Sequence, residues 1–321
     1  MAEGEGADAA GQSRDRRHRR AGRDPCHPQD RQALNGAGIS TVVLLISCRD
    51  RPGLVHAVAE FVLSSCGNVL HAEQHVDREA GVFFQRVEFD LSAASLDRAD
   101  VAAAFEPVAA RFGMDVSVRF SDERPRIALL ASRQAHCLGD LLGRWRSGEL
   151  PAEVAAVISN HAGHAALAAF SGVPFHHLPV TPRNRQVQEA ALVELLHGYD
   201  VELVVLARYM QVLGPAVLAA FPARIINIHH SFLPAFGGAK PYHQAQQRGV
   251  KLIGATAHYA TAELDEGPII AQDVAAVTHR DSIDDLVRKG RDLETVVLAR
   301  AVRAHVEHRT LVFGNKTVVF S

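Results

Sequence analysis

From Arg126 to Ile228 the chain alternates apolar runs of strand length with amphipathic stripes of helix length. That alternation restricts this part to an α/β fold with a largely parallel sheet. The runs are Arg126-Ile-Ala-Leu-Leu-Ala-Ser132, Val154 to Ser159, Leu203 to Leu206 and Arg224 to Ile228. Helical patterns at Cys137 to Trp145, Arg185 to His197 and Gly214 to Phe221 separate them. Ligands of such open sheets collect outside the carboxyl ends of the strands, so the polar residues after Ile228 are the first place to look for chemistry.

A different order precedes this one. Ser121-Asp-Glu-Arg-Pro125 is polar and breaks both periodicities, which puts a boundary there. Upstream, Thr41-Val-Val-Leu-Leu-Ile-Ser47 reads as a buried strand. The Asp50 carboxylate is placed to cap the helix that follows, with Pro52 near its first turn and Leu54, Val58, Phe61 and Val62 as its apolar stripe. Gly67 is expected to close that helix. Strands at Asn68 to Val76 and Val82 to Asp90, a helix at Leu96 to Phe112 and a strand at Met114 to Phe120 complete a βαββαβ unit. A length of 321 residues, roughly twice an ordinary domain of about 150, agrees with two folded units, 39–121 and 126–321. Residues 1–38 carry a basic run from Arg14 to Arg23, diluted by Asp15 and Asp24, and almost no large apolar side chains; they are expected to be a disordered tail.

Composition excludes several classes of function. A net charge of −2 gives no reason to expect nucleic acid as the main ligand. Four scattered cysteines, Cys26, Cys48, Cys66 and Cys137, lack the spacing of a disulfide-stapled secreted domain. No apolar run reaches the roughly 18 to 20 residues of a membrane span, and the N-terminus lacks the apolar core of a signal peptide. A cytoplasmic protein without membrane partners is the expectation.

Ile226-Asn-Ile-His-His-Ser-Phe-Leu-Pro234 puts Asn227 and His229 two apart at a strand end, where alternation turns both to one face and His230 to the other. The adjacent histidines therefore make a poor metal clamp, and no zinc-hydrolase pattern lies nearby, so no metal is expected. Gly254 to Tyr259 reads as a strand leading into Thr261-Ala-Glu-Leu-Asp-Glu-Gly-Pro268, a loop with three carboxylates. Such a loop ordinarily just solvates a turn. An amide, an imidazole and a carboxylate brought together there could instead hydrolyse an acyl group, one donating to an oxyanion and another handling the proton of water. His161 and His164 form a chelating spacing, but without a third ligand their ordinary reading is structural.

Two resemblances sharpen this reading. Asp50-Arg-Pro-Gly-Leu54, in the first strand-to-helix turn of the βαββαβ unit, resembles the ACT domain, a ferredoxin-like module that binds amino acids. That likeness implies an amino-acid effector at Asp50, Pro52, Gly53 and Leu54; a helix N-terminus beside strand-end amides suits a carboxylate. Such modules also pair with one another, so a homo-oligomer is equally implied. Asn227-Ile-His229 with Ser231 and Leu233-Pro234, followed by Leu264-Asp-Glu-Gly-Pro268, resembles the signature of the folate-dependent formyltransferase family, whose domain is Rossmann-like. Gly139-Asp-Leu-Leu142, Ile158-Ser-Asn-His161, Pro241-Tyr-His-Gln-Ala245 and Gly290-Arg-Asp-Leu-Glu294 extend the likeness toward its hydrolytic members.

By that resemblance the catalytic residues are Asn227, His229 and Asp265, and the reaction is hydrolysis of 10-formyltetrahydrofolate to formate and tetrahydrofolate, at a linear amide C–N bond. The folate is the substrate, no cofactor is implied, and the formate would supply purine synthesis. Leu206 to Leu213 resembles the family's folate-binding loop, which assigns Tyr209, Met210, Gln211, Val212 and Leu213 to the pterin, with His258 bracing the loop or touching folate. Read without the family, Met210 and Leu213 are spaced like core residues. The alternative is a true transferase that passes the formyl group to an amine. Ala131 to Gly139 lacks the glycine-rich composition that a ribonucleotide acceptor favours. A closing hairpin about Gly314-Asn315 leaves no room for a tRNA-binding domain. A non-catalytic amino-acid sensor is the third reading.

Overall fold

The computed structural model describes residues 40–91, 96–234 and 241–321; the expected tail, 1–38, lies outside them. The N-terminal part runs β1 (Thr41–Arg49), α1 (Leu54–Ser64), β2 (Asn68–Asp77), β3 (Val82–Asp90), α2 (Val101–Phe112) and β4 (Asp115–Phe120), the βαββαβ order read from the sequence. Its four strands form an antiparallel sheet in the order β2-β3-β1-β4. Both faces of this sheet are covered, which is why β1 is apolar almost throughout. Val42, Leu44 and Ile46 pack with α1 and α2 on one face, and Val43 and Leu45 with Phe84 and Phe320 on the other.

Two local expectations are corrected here. Asp50 does not cap α1: the helix starts at Leu54, the cap position is Gly53 with φ 95°, and no side chain bonds the first-turn amides. Arg51 and Pro52 separate Asp50 from the cap, and its amide is held by the Gly81 carbonyl at 2.9 Å instead. Nor does Gly67 supply the left-handed residue that ends α1. Cys66 does, at φ 55°. Gly67 is needed for closeness, since a Cβ there would stand 3.0 Å from the Phe89 ring and 3.1 Å from the Asp90 carbonyl. The second helix is also shorter than expected, α2 following a 3-10 turn at Arg98–Asp100.

The C-terminal part runs β5 (Arg126–Ala131), α3 (His136–Arg146), β6 (Glu153–Ser159), α4 (Ala165–Ser171), β7 (Phe175–His177), α5 (Arg185–Gly198), β8 (Leu203–Leu206), α6 (Pro215–Ala220), β9 (Ile225–His229), α7 (Pro241–Arg248), β10 (Leu252–Tyr259), β11 (Ile269–Ala276), α8 (Ile283–Val306), β12 (Thr310–Phe313) and β13 (Lys316–Val319). Seven strands form a sheet in the order β11-β10-β9-β8-β5-β6-β7. Pairing is parallel from β9 through β7 and antiparallel at β10 and β11. Side chains of β5 alternate between layers: Ile127 and Leu129 meet α3 and α8, while Ala128 and Leu130 meet α5 and α6. The chain moves outward from β5 through β6 and β7, then returns to β5's other side with β8. The resulting switch point opens the carboxyl ends of β5, β8 and β9. β12 and β13 close as a hairpin with Gly314-Asn315 at the tip, as expected. No helix among the described residues is long and apolar enough to cross a membrane.

Candidate active site

β9 ends at the switch point with Asn227 and His229 on one side, as alternation requires, and both line a cavity of about 470 Å³. Antiparallel pairing sets His258 of β10 directly opposite Asn227. The third element is the loop after β10, clamped at its base where the Tyr259 amide donates to the Pro268 carbonyl at 2.9 Å. Gly267 is obligatory in that clamp: a Cβ would fall 1.8 Å from the Tyr259 carbonyl oxygen. Asp265 takes the left-handed conformation, φ 60°, which turns its carboxylate back to the strands.

The groups so assembled are in contact. Asp265 Oδ1 lies 3.1 Å from His229 Nδ1 and 3.8 Å from His258 Nε2. The hydrogen bond from His229 holds the Asp265 carboxyl below the usual carboxylate range, against the opposing effect of burial. With Nδ1 engaged, Nε2 of His229 is left buried and without a partner. His258 is 2% exposed, and its Nδ1 lies 3.0 Å from the Tyr259 carbonyl, which can only accept. Nδ1 therefore carries the proton. Burial lowers the pKa of His258, so its Nε2 is a free lone pair that accepts from Asn227 Nδ2 at 3.3 Å. This bond orients the Asn227 amide with its nitrogen toward β10 and one N–H to spare.

His230 departs from the sequence reading. The strand stops at His229, so alternation no longer applies, and His230 lines the same cavity with its ring centroid 5.0 Å from that of His229. Burial and the neighbouring Arg208 lower its pKa to about 4.

Tyr209, Met210, Gln211, Val212 and Leu213 form one wall of the cavity and Ala260 to Asp265 the other. Met210 and Val212 are 59% and 56% exposed, so Met210 is not the core residue that its spacing alone suggests. Leu213 packs against the α5 and α6 core as well as lining the cavity. Tyr209 is buried, its hydroxyl receiving a bond from Gln188 at 3.3 Å. Ser132 braces the wall: its Oγ accepts from the Met210 amide at 2.9 Å and donates to Asn160 Oδ1 at 2.8 Å. His164 bonds the Ser132 carbonyl, which gives it a structural role.

Behind Arg208 and His230 lies a cluster that sequence reasoning did not assign. Glu294, 2% exposed, has Oε2 2.6 Å from His136 Nε2 and 3.4 Å from Arg208 Nε, and Oε1 accepts from the Tyr242 hydroxyl at 3.1 Å. Burial works to raise its pKa, but the bond from His136 and the charge of Arg208 prevail and hold it low. Tyr242 and Glu294 stand in two of the quoted stretches; their shared role shows only when the fold joins them. Among the described residues, His136, Cys137 and Glu294 are the one set whose ligand atoms lie within 4.8 Å of one another. His136 and Glu294 already bond each other, Arg208 contributes a positive charge, and burial raises the Cys137 thiol pKa far above its ordinary value. At the other end of the chain, Asp50, Pro52 and Gly53 are exposed and Leu54 is buried in the N-terminal core.

Comparison with known proteins agrees with this geometry. The formyl transferase family model matches residues 125–302. The formyltetrahydrofolate deformylase of Synechocystis sp. is 54% identical over 281 residues, 88% of this chain and 99% of that one, and that of Bacillus subtilis is 48% identical over 87% and 93%. A crystal structure of a formyltetrahydrofolate deformylase from Pseudomonas syringae superposes with a TM-score of 0.87 at 47% identity, covering 91% of this chain and 97% of that one. Glycinamide ribonucleotide transformylase 1 from Symbiobacterium toebii gives 0.59 at 38% identity, covering 63% of this chain and 97% of its own. The N-terminal sheet is thus shared with the deformylases over nearly their whole length, and the chain belongs to the formyltetrahydrofolate deformylase family.

Proposed function

We infer that this chain hydrolyses 10-formyltetrahydrofolate, releasing formate and tetrahydrofolate. One observation carries the reading: Asn227, His229 and Asp265 meet at the end of a cavity with apolar walls, and His229 keeps Nε2 unpartnered while Asp265 fixes the ring through Nδ1. The formyl carbon is bonded to an aryl nitrogen. Attack by water puts negative charge on the formyl oxygen, and the spare N–H of Asn227 donates to it there, joined by Nε2 of His229 when the ring carries a proton on both nitrogens. Asp265 is ionised at neutral pH and has one oxygen on His229. Its other oxygen holds the attacking water and takes a proton from it. As the C–N bond breaks, that proton passes to the departing nitrogen.

In this reading Tyr209 to Leu213 take the pterin against Met210 and Val212, and folate is needed only as a substrate. Residues 126–321 are the catalytic unit and 39–121 an ACT regulatory unit, with an amino-acid effector held at Asp50 to Leu54 and pairing of copies through this module. The formate feeds purine synthesis in the cytoplasm. The test is formate release from 10-formyltetrahydrofolate by purified protein, with a chelator present and no amine. Release by wild type and its loss in Asp265→Asn support the reading. No release until an amine is added makes the protein a transferase.

A further inference from the structure

We propose that the buried His136–Glu294–Arg208–Tyr242 cluster closes the acceptor side of the site and makes water, rather than an amine, the formyl acceptor. The proposal rests on the hydrolytic reading above and adds the residues that decide between the two outcomes.

The reacting carbon sits near His229, and the cavity differs at its two ends. One end has the apolar side chains of Met210, Val212 and Leu213, which take the folate. The other is bounded by Arg208 and His230, with Glu294, His136 and Tyr242 packed directly behind them: the His230 and Tyr242 rings are 6.2 Å apart, and Arg208 Nε is 3.4 Å from Glu294. With the folate against the apolar end, the place left for an amine that takes the formyl group is the end beside Arg208 and His230. The amine arrives mostly as an ammonium, so it needs a carboxylate to bind it and to take its proton before nitrogen attacks the formyl carbon.

Glu294 is the carboxylate at that position, and it is consumed. Both oxygens are engaged, Oε2 by His136 and Oε1 by Tyr242, and the side chain is 2% exposed. Arg208 lines the cavity in its place, in a left-handed conformation, φ 62°, with Nε bonded to Gln134 Oε1 at 2.9 Å and 3.4 Å from Glu294. Because Arg208 and Glu294 pair with each other, this end of the cavity offers an ammonium no free carboxylate. The close packing extends to the backbone: Gly290 allows Tyr242 to lie against α8, because a Cβ at 290 would stand 1.9 Å from the Tyr242 hydroxyl. Water is neutral and small and needs no anionic anchor.

Bond making is the same for either acceptor. An acceptor oxygen or nitrogen bonds to the formyl carbon, the bond to the folate nitrogen breaks, and that nitrogen gains the proton the acceptor loses. Only access differs, so the partition between products reports on the cluster independently of overall rate. Glycinamide is a suitable probe: purified enzyme is given 10-formyltetrahydrofolate with glycinamide, and formate and N-formylglycinamide are both quantified. Wild type is expected to yield formate alone. His136→Ala removes the shorter of the two contacts on Glu294 Oε2, leaving Arg208 at 3.4 Å, and opens space beside it, and should raise the formylated-amine fraction by about tenfold or more over the wild-type limit of detection. His136→Asn, a milder truncation that keeps a hydrogen-bonding group, should give a smaller rise and guards against a folding defect. Folate turnover in both variants with formate as sole product overturns the proposal. Failure of wild type to release formate without an amine sinks the hydrolytic reading itself, a separate result.

Discussion

At the scale of single residues the site is organised by its histidines. The Tyr259 carbonyl determines the tautomer of His258, His258 in turn orients the Asn227 amide, and Asp265 does the same for His229. Asn227 and His229 are thus each aimed by a neighbouring side chain, His258 and Asp265. If Asn227 supplies one oxyanion donor, Asn227→Ala should slow turnover about 100- to 1,000-fold with a smaller change in KM, because the bond strengthens as charge develops on the formyl oxygen. Steady-state kinetics settles it, and a few-fold loss would contradict the role. Asn227, His229 and Asp265 were legible because strand alternation and two short motifs put them in one place. Two features were not. His230 was misread because the period of two lapses where the strand ends. The buried Glu294 cluster was invisible because its members lie far apart in the chain and meet only through α3, α7 and α8.

At the scale of elements, the least conventional device is the terminal hairpin. Among the described residues β12 and β13 pair only with each other, and they cover the face of the N-terminal sheet that α1 and α2 leave open. Phe320, 1% exposed, packs with Val43, Leu45 and Phe84, and Phe313 meets Phe84 edge to face at 5.5 Å. Phe320→Ala should therefore cost about 3 to 5 kcal/mol in urea unfolding while leaving the active-site contacts in place. A loss below about 1 kcal/mol would mean the hairpin does not contribute to folding. The hairpin was readable from Gly314-Asn315, but its docking was not, since four residues of alternating character do not say which sheet they cover. The helix α8 escaped for another reason. Its buried face includes Gly290 and Glu294, which interrupt the apolar stripe that marks a helix in sequence. β7, at three residues, is too short to show any period.

At the scale of the whole molecule, buried histidines set the response to acid. Burial, as the largest cause in each, lowers the pKa of His230, His305 and His308 to about 4. Their unfolded values are about 6.5. Above that pH all three are neutral in both states and pH has no purchase on them. Between roughly 6.5 and 4 the unfolded chain binds protons that the folded one refuses, so stability falls on acidification by about 1.4 kcal/mol per pH unit for each group. Asp265 and Glu294, with lowered values, are ionised in both states above the carboxylate range and oppose nothing in this window. The urea midpoint should drop from pH 6.5 to 5.5, with a net uptake of protons on unfolding. A midpoint flat across that interval would show that these histidines titrate normally in the fold. His308 sits past the end of α8, where Arg86 Nε of β3 donates to its carbonyl at 3.1 Å, and it takes no part in the active site. His308→Gln is therefore expected to lower the uptake by about one proton without altering formate release. A drop in release instead would mean that the junction between the two sheets bears on catalysis.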